Sequence, residues 1–170
     1  MHIITPKEIF FDEKNRNLEW SAFTDQMIGG LSKGNIKQHE EHLEFSGNVR
    51  PVSDQAWAGM RSRSQAHNLS DYKFIELKIK TDGQPYHLQM EFEDAWQKDK
   101  LGIEIDIVKN QWKTMHLEMA DFKTYNNREG FLNKKPKLTK VLPLIKRYNI
   151  MASSKYQIDF NFQIEYLKFH

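Results

Sequence analysis

Residues 72–80 alternate strictly, with Ile75, Leu77 and Ile79 opposed by Phe74, Glu76, Lys78 and Lys80. A period of two puts successive side chains on opposite faces, which a strand with one wet side requires and a helix cannot use. The same period recurs along the chain. Over 86–92, Tyr86, Leu88, Met90 and Phe92 point one way while His87, Gln89 and Glu91 share the polar face. Over 101–108, Ile103, Ile105 and Ile107 alternate with Glu104 and Asp106, and residues 111–117 alternate again. Over 157–169, Ile158, Phe160, Phe162, Ile164 and Tyr166 alternate with polar residues until Leu167 and Phe169 break parity, the mark of a bulge near Tyr166-Leu167. No helical periodicity persists beyond about ten residues, and roughly eight to eleven strands are expected. The pattern predicts an all-β fold, a jelly-roll β-sandwich.

Other segments fit this reading. Ile9-Phe10-Phe11 suits a first strand, and Ile36, Leu43 and Phe45 around Glu40-Glu41 suit a hairpin with a charged tip. Asp82-Gly83 reads as a hairpin turn. Residues 130–158 contain no acid, seven lysines and arginines, and Pro136 and Pro143. They read as loop with a helical turn, then a strand over 148–152. Gly29-Gly30 calls for positive φ or for close approach of another segment.

A length of 170 residues suits one domain spanning 1–170, and 12% aromatic residues supply its core. The formal net charge of +2 calls for neither nucleic acid nor anionic lipid as partner. The absence of cysteine excludes disulfides, thiolate metal sites and a cysteine nucleophile. The amino terminus has neither the basic start nor the long apolar run of a signal peptide, and no apolar segment approaches the roughly 20 residues of a membrane span. A soluble chain without a transmembrane segment is expected, in the cytoplasm, or in the mitochondrial matrix if the source is eukaryotic and a leader has been removed.

Catalytic, cofactor and metal sites find no support. Gly29 and Gly34 have phosphate-loop spacing, yet Asn35-Ile36 stand where lysine and a hydroxyl are needed. His39-Glu40-Glu41-His42 is similar to a zinc motif, but strand residues three apart face opposite ways. No nucleophile elbow or carboxylate pair organises the remaining acids and serines. The basic 134–147 stretch lacks stacking aromatics, so nucleic acid is not expected there. In 57–64, Trp57, Gly59, Arg61 and Arg63 share one face and Ala58, Met60 and Ser62 the other. Asp25 and Trp57, Arg61 and Arg63, with His87, Gln89 and Glu91 of the polar strand face, are candidates for a ligand or partner face, against the plainer reading of a solvated sheet face with cross-strand ion pairs. Trp96, in a charged loop, is a candidate anchor.

The ordered landmarks are Trp20, Asp25 with Met27-Ile28-Gly29-Gly30-Leu31-Ser32, Phe45-Ser46-Gly47, Trp57-Ala58-Gly59-Met60-Arg61, Asp82-Gly83-Gln84-Pro85-Tyr86, Trp112 and Asp121-Phe122. Over roughly residues 9–169 this series resembles the complex I intermediate-associated protein 30 family. That family's pattern runs W, D..VMGG.S, F.G, GF.S.R, GDG..Y, W and DF. Here Met27-Ile28 stand for VM, Ala56-Trp57 for GF and Thr81-Asp82-Gly83 for GDG. The resemblance implies a galactose-binding-like jelly roll and a non-catalytic role as a protein-binding assembly factor with respiratory complex I subunits as partners. The alternative from another class is a carbohydrate-binding module on the jelly-roll face. For the matched residues, Trp20 and Trp112 are expected between the sheets, and Asp25 is expected to accept backbone N–H bonds beside the double glycine. Arg61 needs a carboxylate, expected to be Asp25, or else a ligand.

Overall fold

The computed structural model describes residues 7–52, 56–106 and 108–170, so Ile107 of the third alternating segment lies outside the described residues. The chain runs through β1 (Glu8–Phe10), β2 (Trp20–Thr24), β3 (Lys33–Gln38), β4 (Leu43–Val49) and β5 (Trp57–Ser62). It continues through β6 (Phe74–Asp82), β7 (Tyr86–Glu91), β8 (Lys100–Ile105), β9 (Lys109–Glu118), β10 (Lys123–Asn126) and β11 (Gly130–Phe131). A single helical turn, α1 (Leu138–Val141), precedes β12 (Arg147–Ser153) and β13 (Ile158–Phe169).

Two antiparallel sheets form a jelly-roll β-sandwich. The first has the order β3-β4-β13-β6-β9, with β1 also paired to β13; the second has the order β11-β10-β8-β7-β12-β5-β2. The alternation read from the sequence fixes which side chains meet between them. Phe45, Phe160, Phe162, Ile75, Leu77 and Ile79 from the first sheet join Met60, Leu88, Met90, Ile150 and Tyr148 from the second in one buried cluster. The parity break in β13 is a register shift between Ile164 and Tyr166, one residue earlier than expected, and it brings Leu167 and Phe169 back to the core.

Three expectations need correction. Asp82-Gly83 does not close a hairpin, because β6 and β7 lie in different sheets. It carries the chain over the edge of the sandwich, with Gly83 at φ 93°. Asp82 fastens the crossing, accepting from Gln84 N (3.1 Å), Tyr86 Oη (2.7 Å) and Asn161 N of β13 (2.9 Å). Trp112 is not between the sheets. It pairs with Lys80 on the outer side of the edge strand β9, 36% exposed, edge-on to His42 at 5.5 Å. Trp20 is half-buried against Phe11, ring centroids 4.9 Å apart. Finally, His39 and His42 do not face apart. They flank the turn closed by His39 N on His42 O (2.9 Å), and their rings stack at 4.5 Å. Among the described residues no group of three or more His, Asp or Glu is placed to hold a metal ion, and no helix is long and apolar enough to cross a membrane.

Candidate functional site

β2 ends at Thr24, whose side chain caps the 3₁₀ turn Asp25–Ile28 by accepting from Gln26 N. The double glycine serves this turn in two separate ways. Gly29 closes it in the left-handed region (φ 88°), and at Gly30 a Cβ would collide with the Asp25 carboxylate. The space so left lets the buried carboxylate clamp two distant segments. Asp25 accepts from Ser32 N (3.0 Å), Ser32 Oγ (2.8 Å) and Trp57 N at the head of β5 (3.1 Å). Ser32 Oγ in turn accepts from Arg50 N (3.0 Å). The backbone of 25–32 is thereby fixed, while Met27, Ile28 and Leu31 stay 49%, 57% and 54% exposed.

The outer face of the second sheet carries a continuous polar chain. β12 lies between β5 and β7, so Asn149 faces Arg61 on one side and Gln89 on the other. Arg61 donates twice to Glu91, at 2.8 and 3.0 Å. Asn149 Nδ2 donates to Glu91 Oε2 (2.7 Å) and Gln89 Oε1 (2.9 Å), and Gln89 Nε2 reaches His87 Nε2 at 2.8 Å. An amide nitrogen can only donate, so His87 accepts through Nε2 and is neutral. Burial and the nearby Lys100 ammonium hold its pKa down to about 4. Lys100 is itself buried, which lowers it to about 8, and it donates to the Trp96 carbonyl at 2.7 Å.

This face is not solvated. His87, Gln89, Glu91, Lys100 and Asn149 are all buried, under the 92–99 and 127–130 loops. Trp96 comes down onto Trp57 (5.8 Å) and Phe23 (6.2 Å), and Phe23 in turn lies 4.9 Å below the Arg61 guanidinium.

The structure thus brings together Trp57, Arg61, His87, Gln89 and Trp96. It does not bring in Arg63, which follows the end of β5 and lies 3.8 Å from Glu19 with both side chains exposed. Asp25 adjoins the face only through Trp57 N, and the expected Asp25–Arg61 pair does not form; Glu91 takes that place. Phe23, Lys100, Asn149 and Tyr125, whose ring lies 4.7 Å from that of His87, also belong to this face and are not among the residues that the sequence singles out. Only Asn149 left a trace, as the single amide inside an apolar strand.

The sequence pattern of the family described as complex I intermediate-associated protein 30 matches residues 9–164, nearly the whole chain. The chain belongs to the complex I intermediate-associated protein 30 family. No curated protein matches it. In fold, this family member is similar to the family 11 carbohydrate-binding module from Clostridium thermocellum in complex with a β-1,3-1,4-mixed-linked tetrasaccharide. The TM-score is 0.66 at 16% identity, over 95% of this chain and 94% of that one. The family 11 module of the cellulosomal cellulase Lic26A-Cel5E of Clostridium thermocellum gives 0.64 at 15% identity, over 96% and 95%. An agarase gives 0.58 at 13% identity, over 96% of this chain and 24% of the agarase. At such identities the likeness is one of fold alone.

The buried histidines make stability pH-dependent. His67, with Nδ1 2.7 Å from Tyr148 Oη, is also held down to about 4 by burial. Between pH 6.5 and about 4 the unfolded chain binds protons that folded His67 and His87 refuse, so stability is intact above 6.5 and falls with pH through this window. Urea midpoints measured from pH 7.5 to 5 should drop by an amount equivalent to about 2 kcal/mol per histidine at pH 5. His87→Gln should flatten that slope; a slope unchanged in this variant would contradict the assignment.

Proposed function

We propose that this chain is a non-catalytic protein-binding module that serves the assembly of a respiratory complex, gripping its partner through the 27–31 loop. The observation that carries this reading is the conjunction of exposure and rigidity. Met27, Ile28 and Leu31 are held out to solvent on a backbone that Asp25 and Gly29 fix in place. Large apolar side chains preorganised in this way lose little entropy on docking, as binding hot spots require. Val52, 61% exposed, stands two residues from Arg50, which bonds Ser32. Exposed Lys33 and Arg50, respectively next to and bonded to Ser32, and Lys98 and Arg128, which share a pocket with Ile28 and the lone acid Glu129, give the patch a mainly basic rim, so the fitting partner surface is an apolar pocket with an acidic border. Membership of the family supports a respiratory-complex subunit or assembly intermediate as that partner. The site of action is the cytoplasm, or the matrix in a eukaryotic host.

Affinity purification of the tagged protein from native-host membranes tests this. Respiratory-complex subunits should be enriched with the wild-type chain and reduced about tenfold or more with Met27→Ser/Ile28→Ser/Leu31→Ser, whose melting should not change because all three are exposed. Equal recovery by both, or none of those subunits, contradicts it. A second reading, a carbohydrate-binding module, is favoured by an aromatic-walled cleft on the outer face of the second sheet and by the likeness of fold to sugar-binding modules.

A further inference from the structure

Three cavities of about 400, 380 and 480 Å³ lie in a row along that outer face. The first shares Tyr125, Gly130 and Ser153 with the second, and Trp57, Asn127, Arg128 and Glu129 with the third. They are therefore one cleft, roofed by the 127–130 loop. Most of its polar floor is spent internally, since Gln89 is bonded to both His87 and Asn149. Two groups on its walls are not spent. Trp57 Nε1 and Asn127 Oδ1 are both buried and have no hydrogen-bond partner among the described residues, and Trp57 is only 5% exposed.

A buried indole N–H without an acceptor and a buried amide oxygen without a donor each forfeit a hydrogen bond. One ligand group can serve either of them, a hydroxyl, which both accepts and donates. The walls supply the rest of what a sugar ring uses. The rings of Trp57, Tyr125 and Phe131 line it, the kind of apolar wall that C–H faces of a sugar pack against. The charged residues nearly balance, Lys98, Arg128 and Lys155 against Glu104 and Glu129, so no strong field of one sign selects an ion over a neutral ligand. Tyr156, next to Lys155 at the lip, is 79% exposed.

We infer that the cleft under the 127–130 loop is a saccharide-binding site in which the Trp57 indole N–H and the Asn127 side-chain oxygen each engage a ligand hydroxyl. This inference rests on the carbohydrate reading and specifies its site. Three cavities in a row suit several linked rings, an oligosaccharide end to end. The cleft adjoins the docking patch at one end, where Ile28, Lys98 and Arg128 border both, while Met27 and Leu31 lie outside it.

Calorimetric titration of the full chain with the β-1,3-1,4-mixed-linked glucan tetrasaccharide, and separately with an agar oligosaccharide, tests it. Trp57→Phe keeps an aromatic ring and deletes the donor; Asn127→Ala deletes the acceptor in a loop outside the core. Each should weaken binding of whichever sugar the wild type takes by about five- to twentyfold. Unchanged binding in both variants overturns the site while the carbohydrate reading stands. No heat with either sugar at millimolar concentration overturns both.

Discussion

Asp25→Ala should lower the melting temperature by roughly 10 °C, because three buried donors lose their acceptor at once. Ser32 N, Ser32 Oγ and Trp57 N all point at this one carboxylate, which is 2% exposed. Each donor left unsatisfied costs about 1–3 kcal/mol, and because the Ser32 hydroxyl can rotate away the total falls at the lower end of the sum, about 3–5 kcal/mol. The loss is also spatially informative. The carboxylate ties the head of β5 to the start of β3, so its removal frees the 25–32 backbone while the inter-sheet core stays packed. Partner recovery should fall with stability, and Asp25→Asn, which keeps one acceptor oxygen, should lie between. Differential scanning calorimetry on the three proteins checks the order; a shift under about 3 °C for the alanine variant would contradict the clamp.

Glu91→Ala should cost a similar 3–5 kcal/mol for a different reason. The Arg61 guanidinium, its side chain 18% exposed, would lose both bonds of its fork, and Asn149 one of its two acceptors. The penalty is the uncompensated charge left behind rather than the intrinsic worth of the pair. Arg61→Met/Glu91→Met should therefore recover most of the loss. Equal destabilisation of the single and double variants in urea titrations would show that packing, not charge, is at stake. Neither variant touches Asp25, so partner recovery should survive in the double variant.

Why Asp25 and not Glu91 was expected beside Arg61 shows where sequence reading stops. Alternation placed Glu91 on the polar face of its strand, but strand order is not written in any one segment. β5 and β7 are separated by β12 and Arg61 is level with Gln89, so Glu91, two residues further along, lies roughly 12 Å from Arg61 across the sheet, a gap that the two long side chains span together. Trp112 failed for the same reason. Alternation turns Lys80 outward, and cross-strand pairing puts Trp112 on the same side, yet that pairing is visible only in the folded register. The short strands β2, β10 and β11 are too brief or too polar to show a period, whereas β6, β7 and β13 showed it plainly. In β13 even the bulge could be read, since a one-residue slip flips every later side chain.

The central claim, that a rigid apolar loop takes hold of a partner, is tested most directly by photo-crosslinking in the native host. A photoreactive residue is placed either at Ile28 or at Thr114, exposed on the outer side of β9. The account predicts an adduct with a respiratory-complex subunit from position 28 and none from position 114. No adduct at position 28, or the same adduct from both positions, would contradict it.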